Sequence, residues 1–354
     1  MKSPYYLAAL LAFASAVCAT TPAPPKPALL TKQMATTTVT HQASEARASS
    51  AKTLGSDGLV ADAAVSLRRT KTAWGDLDRR RLAQLSAEQV RLRFQPDDNG
   101  GFTFDTGVLR GRLHANGKSL GLTEVVHVPT GARLDRSNGL LSHYRVFTTG
   151  KRYGGGAWDW PSTAALLDDG RVEVRWPAAE GRPFALRATY RLASAATIEV
   201  ETVVEAKAAL SGFESFLASY FAPAFTNALV KVKAGGRTQL IAATPDKGDW
   251  QMYLRDPAAR ALAVDGRWKL EPNPVAWTFP AEFAGPTAEA QRRAPNLGLT
   301  ATLQAPARVV FAIALPHQTE GHFSVYFSQF GRDLQPGETA HATVRLTLSD
   351  AKAP

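Results

Sequence analysis

The chain has 354 residues, of which 45% are apolar and 20% charged, a balance that excludes wholesale disorder. It carries 41 basic side chains, 31 acidic ones and a single cysteine, which excludes collagen, coiled-coil and disulfide-scaffold classes. Beyond the extreme N-terminus no apolar run approaches the ~20 residues of a membrane-spanning helix, so no integral membrane segment is expected in the mature chain.

The N-terminus reads as an address. Met1 and Lys2 make a short basic start, residues 5–17 are rich in Leu and Ala, and small residues follow at Ala14-Ser15-Ala16 and Val17-Cys18-Ala19. That is the pattern of a secretory signal, and we assign residues 1–19 to it, with a periplasmic or secreted destination. Lipoprotein anchoring at Cys18 is the lesser reading, because Ser15 stands where a leucine is expected. The body of the chain then has no cysteine, hence no disulfide, thiolate nucleophile or cysteine zinc site. Residues 20–89 are expected to be a flexible segment. They begin Thr-, Ala-, Ser- and Pro-rich and continue into a basic cluster at Arg79, Arg80 and Arg81, which suits a solvated face or an anionic partner.

From Val90 the hydrophobic period becomes two. Leu92/Phe94, Phe102/Phe104 and Leu109/Gly111/Leu113 lead to a hairpin signal at Asn116-Gly117. Val172/Val174/Trp176, Phe184/Leu186/Ala188/Tyr190/Leu192 and Ile198/Val200/Thr202/Val204 follow. The last alternations are Leu297/Leu299/Ala301/Leu303, Val309/Phe311/Ile313/Leu315, Phe323/Val325/Phe327 and Ala340/Ala342/Val344/Leu346/Leu348. Residues 256–264 and 287–293 offer at most short helical pieces. Strands without crossover helices predict an all-β fold, a large antiparallel β-sandwich with few short helices over residues 90–354.

The motifs of common chemistries fail. Five residues separate Gly111 from Gly117 where a phosphate-binding loop needs four, and there is no nucleophile elbow, zinc-protease motif or dinucleotide fingerprint. A modest positive charge without a basic-aromatic sheet motif argues against nucleic acid.

Three segments concentrate polar and aromatic side chains. Residues 141–161 hold His143, Arg145, Arg152, Tyr153, Trp158, Asp159 and Trp160 around three glycines. Aromatic planes beside charged forks suit a sugar, whose C–H face stacks while Arg and Asp bond its hydroxyls or carboxylate. The competing reading is an ordered loop whose tryptophans plug the sandwich. In residues 213–221, Glu214 shares a strand face with Phe216, Ala218 and Tyr220; burial would raise its pKa toward general acid or base use, unless an arginine pairs with it. In residues 315–333, His317 and His322 flank Glu320, with Tyr326 on the His322 face. These can serve acid-base chemistry or hydroxyl binding, or be structural. Without a recognised ligand spacing no metal is expected, and no cofactor either. A looser group holds Arg255, Asp256, Arg267, Trp268, Asn273 and Trp277, with the tryptophans read as core by default.

Leu334-Gln335-Pro336-Gly337-Glu338-Thr339 before a final alternating strand resembles the C-terminal end of galactose mutarotase-like proteins. Gly139-Leu140-Leu141-Ser142-His143 and Arg152-Tyr153-Gly154 extend the resemblance to residues 90–349 as a pattern. It implies a β-supersandwich holding a carbohydrate on a concave face, with a histidine acid and a glutamate base. The chain departs from the family in lacking its Asn-His and His-Pro contexts, and Glu320 lies close to the Pro-Gly-Glu turn. The expected partner is a mono- or oligosaccharide, neutral or anionic. The expected acid is His143 or His317 and the base Glu214 or Glu320, with Arg145 and Arg152 as anchors and Trp158 and Trp160 as stacking platforms. Tyr153, Asp159, Tyr220, His322 and Tyr326 complete the candidate binding set. Two alternatives stand beside an epimerase: a non-catalytic carbohydrate-binding or cell-surface protein, and a uronic-acid lyase using Arg with Tyr or His.

Overall fold

The computed structural model describes residues 91–114, 120–317 and 322–350. The signal segment, residues 20–89, the Asn116-Gly117 turn and Glu320 lie outside the described residues.

Five strands come first: β1 (Gln95–Pro96), β2 (Phe102–Asp105), β3 (Leu109–His114), β4 (Gly121–His127) and β5 (Ala132–Arg133). They form a sheet in sequence order. Next come β6 (Ser142–Thr148), β7 (Lys151–Arg152), β8 (Thr163–Leu166), β9 (Val172–Trp176) and β10 (Phe184–Ser194). The middle of the chain adds β11 (Thr197–Ala206), β12 (Leu210–Tyr220), β13 (Asn227–Ala234), β14 (Arg237–Ala242) and β15 (Trp250–Leu254). A short helix, α1 (Pro257–Ala263), precedes β16 (Thr287–Ala294), β17 (Leu299–Pro306), β18 (Val310–Pro316), β19 (Ser324–Leu334) and β20 (Thr339–Asp350). Nine of these make one sheet, ordered β14-β13-β16-β17-β20-β11-β10-β9-β8, and six make another, ordered β15-β18-β19-β12-β6-β7. Every strand-to-strand ladder in these sheets is antiparallel. The all-β sandwich expected from the alternating pattern is the observed fold.

The two larger sheets differ in how they use their faces. On β20 the alternation is clean: Ala340, Ala342, Val344, Leu346 and Leu348 are buried while His341 and Arg345 face solvent. That is a half-buried strand whose outer face is water. On β12 and β18 nearly every residue is buried. One face of the six-stranded sheet joins the inter-sheet core through Phe213, Leu217, Ile313 and Phe327. Its other face makes a second apolar cluster with Phe216, Tyr220, Ala314 and Tyr326, covered by Trp268 and Trp277. Two buried faces explain why residues 213–221 read as a near-continuous apolar run.

Gly139 fixes the junction between the five- and six-stranded sheets. It has φ 75°, and a Cβ there would lie 2.5 Å from the carbonyl oxygens of Leu120 and Leu122. Gly139→Ala is expected to destabilise the fold by more than the ~1–2 kcal/mol of the left-handed backbone alone, read as a lower urea midpoint at unchanged slope.

Candidate functional site: an aromatic cleft on the open face of the six-stranded sheet

The outer face of the six-stranded sheet is not completely covered. A cleft of about 340 Å³ remains between its floor and residues 268–277. Tyr144 and Arg145 of β6, Phe216 and Tyr220 of β12 and Tyr326 of β19 make the floor. Trp250, at the start of β15, and His322, just ahead of β19, stand at one side, facing Trp268, Asn273 and Trp277.

A β-bulge puts two neighbours of β6 into this cleft. Ser215 pairs with Val146 and Leu217 with His143, so Phe216 alone opposes both Tyr144 and Arg145. Two residues against one break the strict alternation of faces. His143 and Val146 therefore stay on the core side, while Tyr144 and Arg145 both line the cleft.

The rings interlock. Phe216 and Tyr326 stack at 4.7 Å and 18°, and Tyr326 meets Tyr220 edge-on at 5.7 Å. Trp277 is perpendicular to both Trp268 and Trp250, at 5.2 and 5.8 Å. Arg145 lies among them, 5.1 Å from the Tyr144 ring centre and 5.3 Å from that of Trp268. It is 5% exposed, and its Nε and Nη1 have no hydrogen-bond partner among the described residues. Burial pushes the Tyr220 phenol well above its ordinary range and raises that of Tyr326 as well. Near neutral pH both are protonated donors rather than bases.

The tryptophan wall is pinned from below. Arg267 is fully buried and donates from Nη1 to the Gly212 carbonyl at 2.8 Å and to Glu214 Oε2 at 3.0 Å. Its Nη2 donates to Asp265 Oδ2 at 2.8 Å, and Ser328 Oγ donates to Glu214 Oε1 at 2.7 Å. Burial raises the Glu214 pKa, against the pull of the Arg267 charge. Glu214 thus takes the paired-carboxylate role, holding Arg267, the residue next to Trp268. Arg152 links two loops in a similar way: Nε donates to Gly154 O at 2.9 Å, Nη2 to Gly155 O at 2.7 Å, and Nη1 to Pro272 O.

Other expected site residues lie elsewhere. His143 is 1% exposed between the sheets, its Nε2 2.8 Å from Thr202 Oγ1 and its ring 5.1 Å from Trp176. Burial drives its pKa down to about 3, so it is neutral and out of reach of the cleft. Tyr153 packs edge-on against Phe184 in the core, with its hydroxyl 3.1 Å from Thr148 Oγ1. Trp160 is also core, with the Arg182 guanidinium 4.1 Å over its ring. Trp158 stacks behind Tyr144 at 4.1 Å and 16°, supporting the floor without lining the cleft. Asp159 is exposed beyond it, and His317 follows β18, its backbone N–H donating to Asp249 O at 2.6 Å. The structure gathers Arg145, Tyr220, His322 and Tyr326 from the expected set, and joins to them Trp268, Asn273 and Trp277 of the looser group. Sequence reasoning missed Tyr144, Phe216 and Trp250. Strand alternation could not reveal Tyr144 and Arg145 together, since only the bulge turns both inward. Among the described residues no three His, Cys, Asp or Glu side chains are placed to hold a metal ion.

No family model and no curated protein matches the chain. Solved structures do. It is similar to galactose 1-epimerase from Lactobacillus acidophilus at 12% identity and TM-score 0.45, over 74% of this chain and 98% of that one. It is similar to a GH36 alpha-galactosidase from Geobacillus stearothermophilus at 11% identity and TM-score 0.43, over 73% of this chain and 41% of that one. A heparan sulfate lyase from Pedobacter heparinus is similar at 8% identity and TM-score 0.40, over 74% and 37% of the two chains. Epimerase structures are thus among those similar to the chain, each at low identity.

Proposed function

We propose that this chain is an exported saccharide-binding protein that holds its ligand in the cleft between β6, β12, β19 and residues 268–277. The observation that supports this reading is one arrangement: Tyr144, Trp250, Trp268 and Trp277 around a buried Arg145. Aromatic planes accept the C–H face of a sugar ring, and the guanidinium, phenols, Asn273 and His322 supply hydrogen bonds to its oxygens. Export rests on residues 1–19. Binding without turnover draws more support than epimerisation through His143 and Glu214, because these two do not meet in the cleft and are held in the core and in an ion pair.

The test is titration of the full chain with mono- and oligosaccharides, followed by tryptophan fluorescence. Trp277→Ala is expected to weaken binding by about tenfold or more, the loss of ~1.4 kcal/mol. Trp160→Phe, a change in the core, is expected to leave affinity as it is. No binding of any saccharide by the folded chain would sink the reading; equal loss in both variants would move the ligand elsewhere.

A further inference from the structure

The cleft is rich in donors. Among the described residues, Arg145 brings two buried N–H positions without a partner, and the indole Nε1 atoms of Trp268 and Trp277 are likewise buried and unpartnered. Among the described lining residues there is no carboxylate. A buried charge with nothing to bond is costly, and a folded chain normally pairs it or keeps it in water. The nearby Arg267 shows the ordinary solution, with Gly212, Glu214 and Asp265 taking its hydrogens. Arg152 spends its donors on carbonyls of Gly154, Gly155 and Pro272. Arg145 instead lies against the faces of Tyr144 and Trp268, which hold a cation without occupying its hydrogens.

Resting on the saccharide reading above, the geometry points to an anionic sugar as the ligand, with its carboxylate or sulfate oxygens seated on Arg145. The charged acceptor such a group supplies is what the described lining lacks. A carboxylate or sulfate completes the guanidinium through charge-assisted hydrogen bonds, strengthened by the apolar surroundings. A neutral hydroxyl brings no charge to offset the buried cation.

The experiment compares sugars that differ only at C6. Wild-type full chain is titrated with glucose and glucuronate, galactose and galacturonate, mannose and mannuronate, glucose 6-sulfate, and inorganic sulfate. In a pair that binds, the acidic member is expected to bind at least about tenfold more tightly, as one charge-assisted hydrogen bond allows. Glucuronate against glucose 6-sulfate separates a carboxylate from a sulfate ligand. Arg145→Gln is expected to abolish the preference while melting no lower than wild type, since it removes a buried charge that no carboxylate pairs among the described residues. Equal affinity for acidic and neutral partners would overturn the inference and leave the saccharide reading standing. So would an Arg145→Gln variant that keeps the preference. An Arg145→Gln variant that melts far below wild type would assign the side chain a structural role and overturn it too. Inorganic sulfate binding as tightly as any acidic sugar would reduce the site to a simple anion site and overturn the sugar reading. Failure of every sugar would do the same.

Discussion

Arg267→Met is expected to lower the stability of the fold by about 3–5 kcal/mol, the usual consequence of removing one partner from a buried ion pair. The side chain is 0% exposed and the Glu214 it pairs with is also 0% exposed, so the orphaned carboxylate is left buried. Asp265 and the Gly212 carbonyl lose their donor at the same time. The charge left on Glu214 forces it to take up a proton or draw in water, and either event loosens the turn that carries Trp268. A second expectation distinguishes electrostatics from packing. Replacing both partners, Arg267→Met with Glu214→Leu, removes the uncompensated charge and should recover a large part of the loss, as buried pairs exchanged for apolar groups often do. Urea unfolding of the two variants measures both. A double variant no more stable than the single one would show that Arg267 acts through Asp265 and the Gly212 carbonyl rather than through Glu214.

The second large effect belongs to His143. Burial holds its folded pKa at about 3, against 6.5 for the ordinary imidazole. A proton is therefore bound by the unfolded chain but not by the folded one between these limits. Stability from this group is unaffected above pH 6.5 and falls as the pH drops toward 3, by roughly 1.4 kcal/mol per pH unit. At pH 4.5 that amounts to ~2–3 kcal/mol. His143→Gln keeps a hydrogen-bonding group for Thr202 and does not titrate, so the variant should lose about 1 kcal/mol at pH 7 and resist acid better than wild type. Unfolding free energies at pH 7 and 4.5 compare the two slopes. Parallel slopes would mean that the imidazole takes up its proton in the folded state.

These two side chains also show where local sequence stops being informative. Period-two alternation in β10, β11 and β20 identifies strands and their buried faces, because a half-exposed sheet writes its geometry directly into apolar spacing. The all-β class was legible for that reason. In β12 and β18 both faces are buried, and the same chemistry that marks a core face marks the cleft face as well. Glu214 in such a run reads as a candidate base until a partner is seen; Arg267, 53 residues later, is that partner. His143 and Arg145 stand two positions apart on one strand, and simple alternation puts them on the same face. The bulge opposite Phe216 separates them, sending one into the core beside Trp176 and the other into the cleft.

The tryptophans make the same point from the other direction. Trp158 and Trp160 flank a charged, glycine-rich loop, which is a fair local signal for a sugar platform, yet Trp160 belongs to the core and Trp158 stacks behind Tyr144. Trp250, Trp268 and Trp277 come from a strand, a turn and a loop, and meet only because residues 268–277 fold back over the six-stranded sheet. What the sequence determined by itself is the class of fold, its strand faces and the short list of polar residues worth watching, since each is encoded within a few neighbouring positions. Which of those residues share a cleft, and which pair off in the core, was decided by tertiary structure. Burial, bulge placement and ion-pair partners depend on groups tens of residues apart, and spacing along the chain carries no record of them.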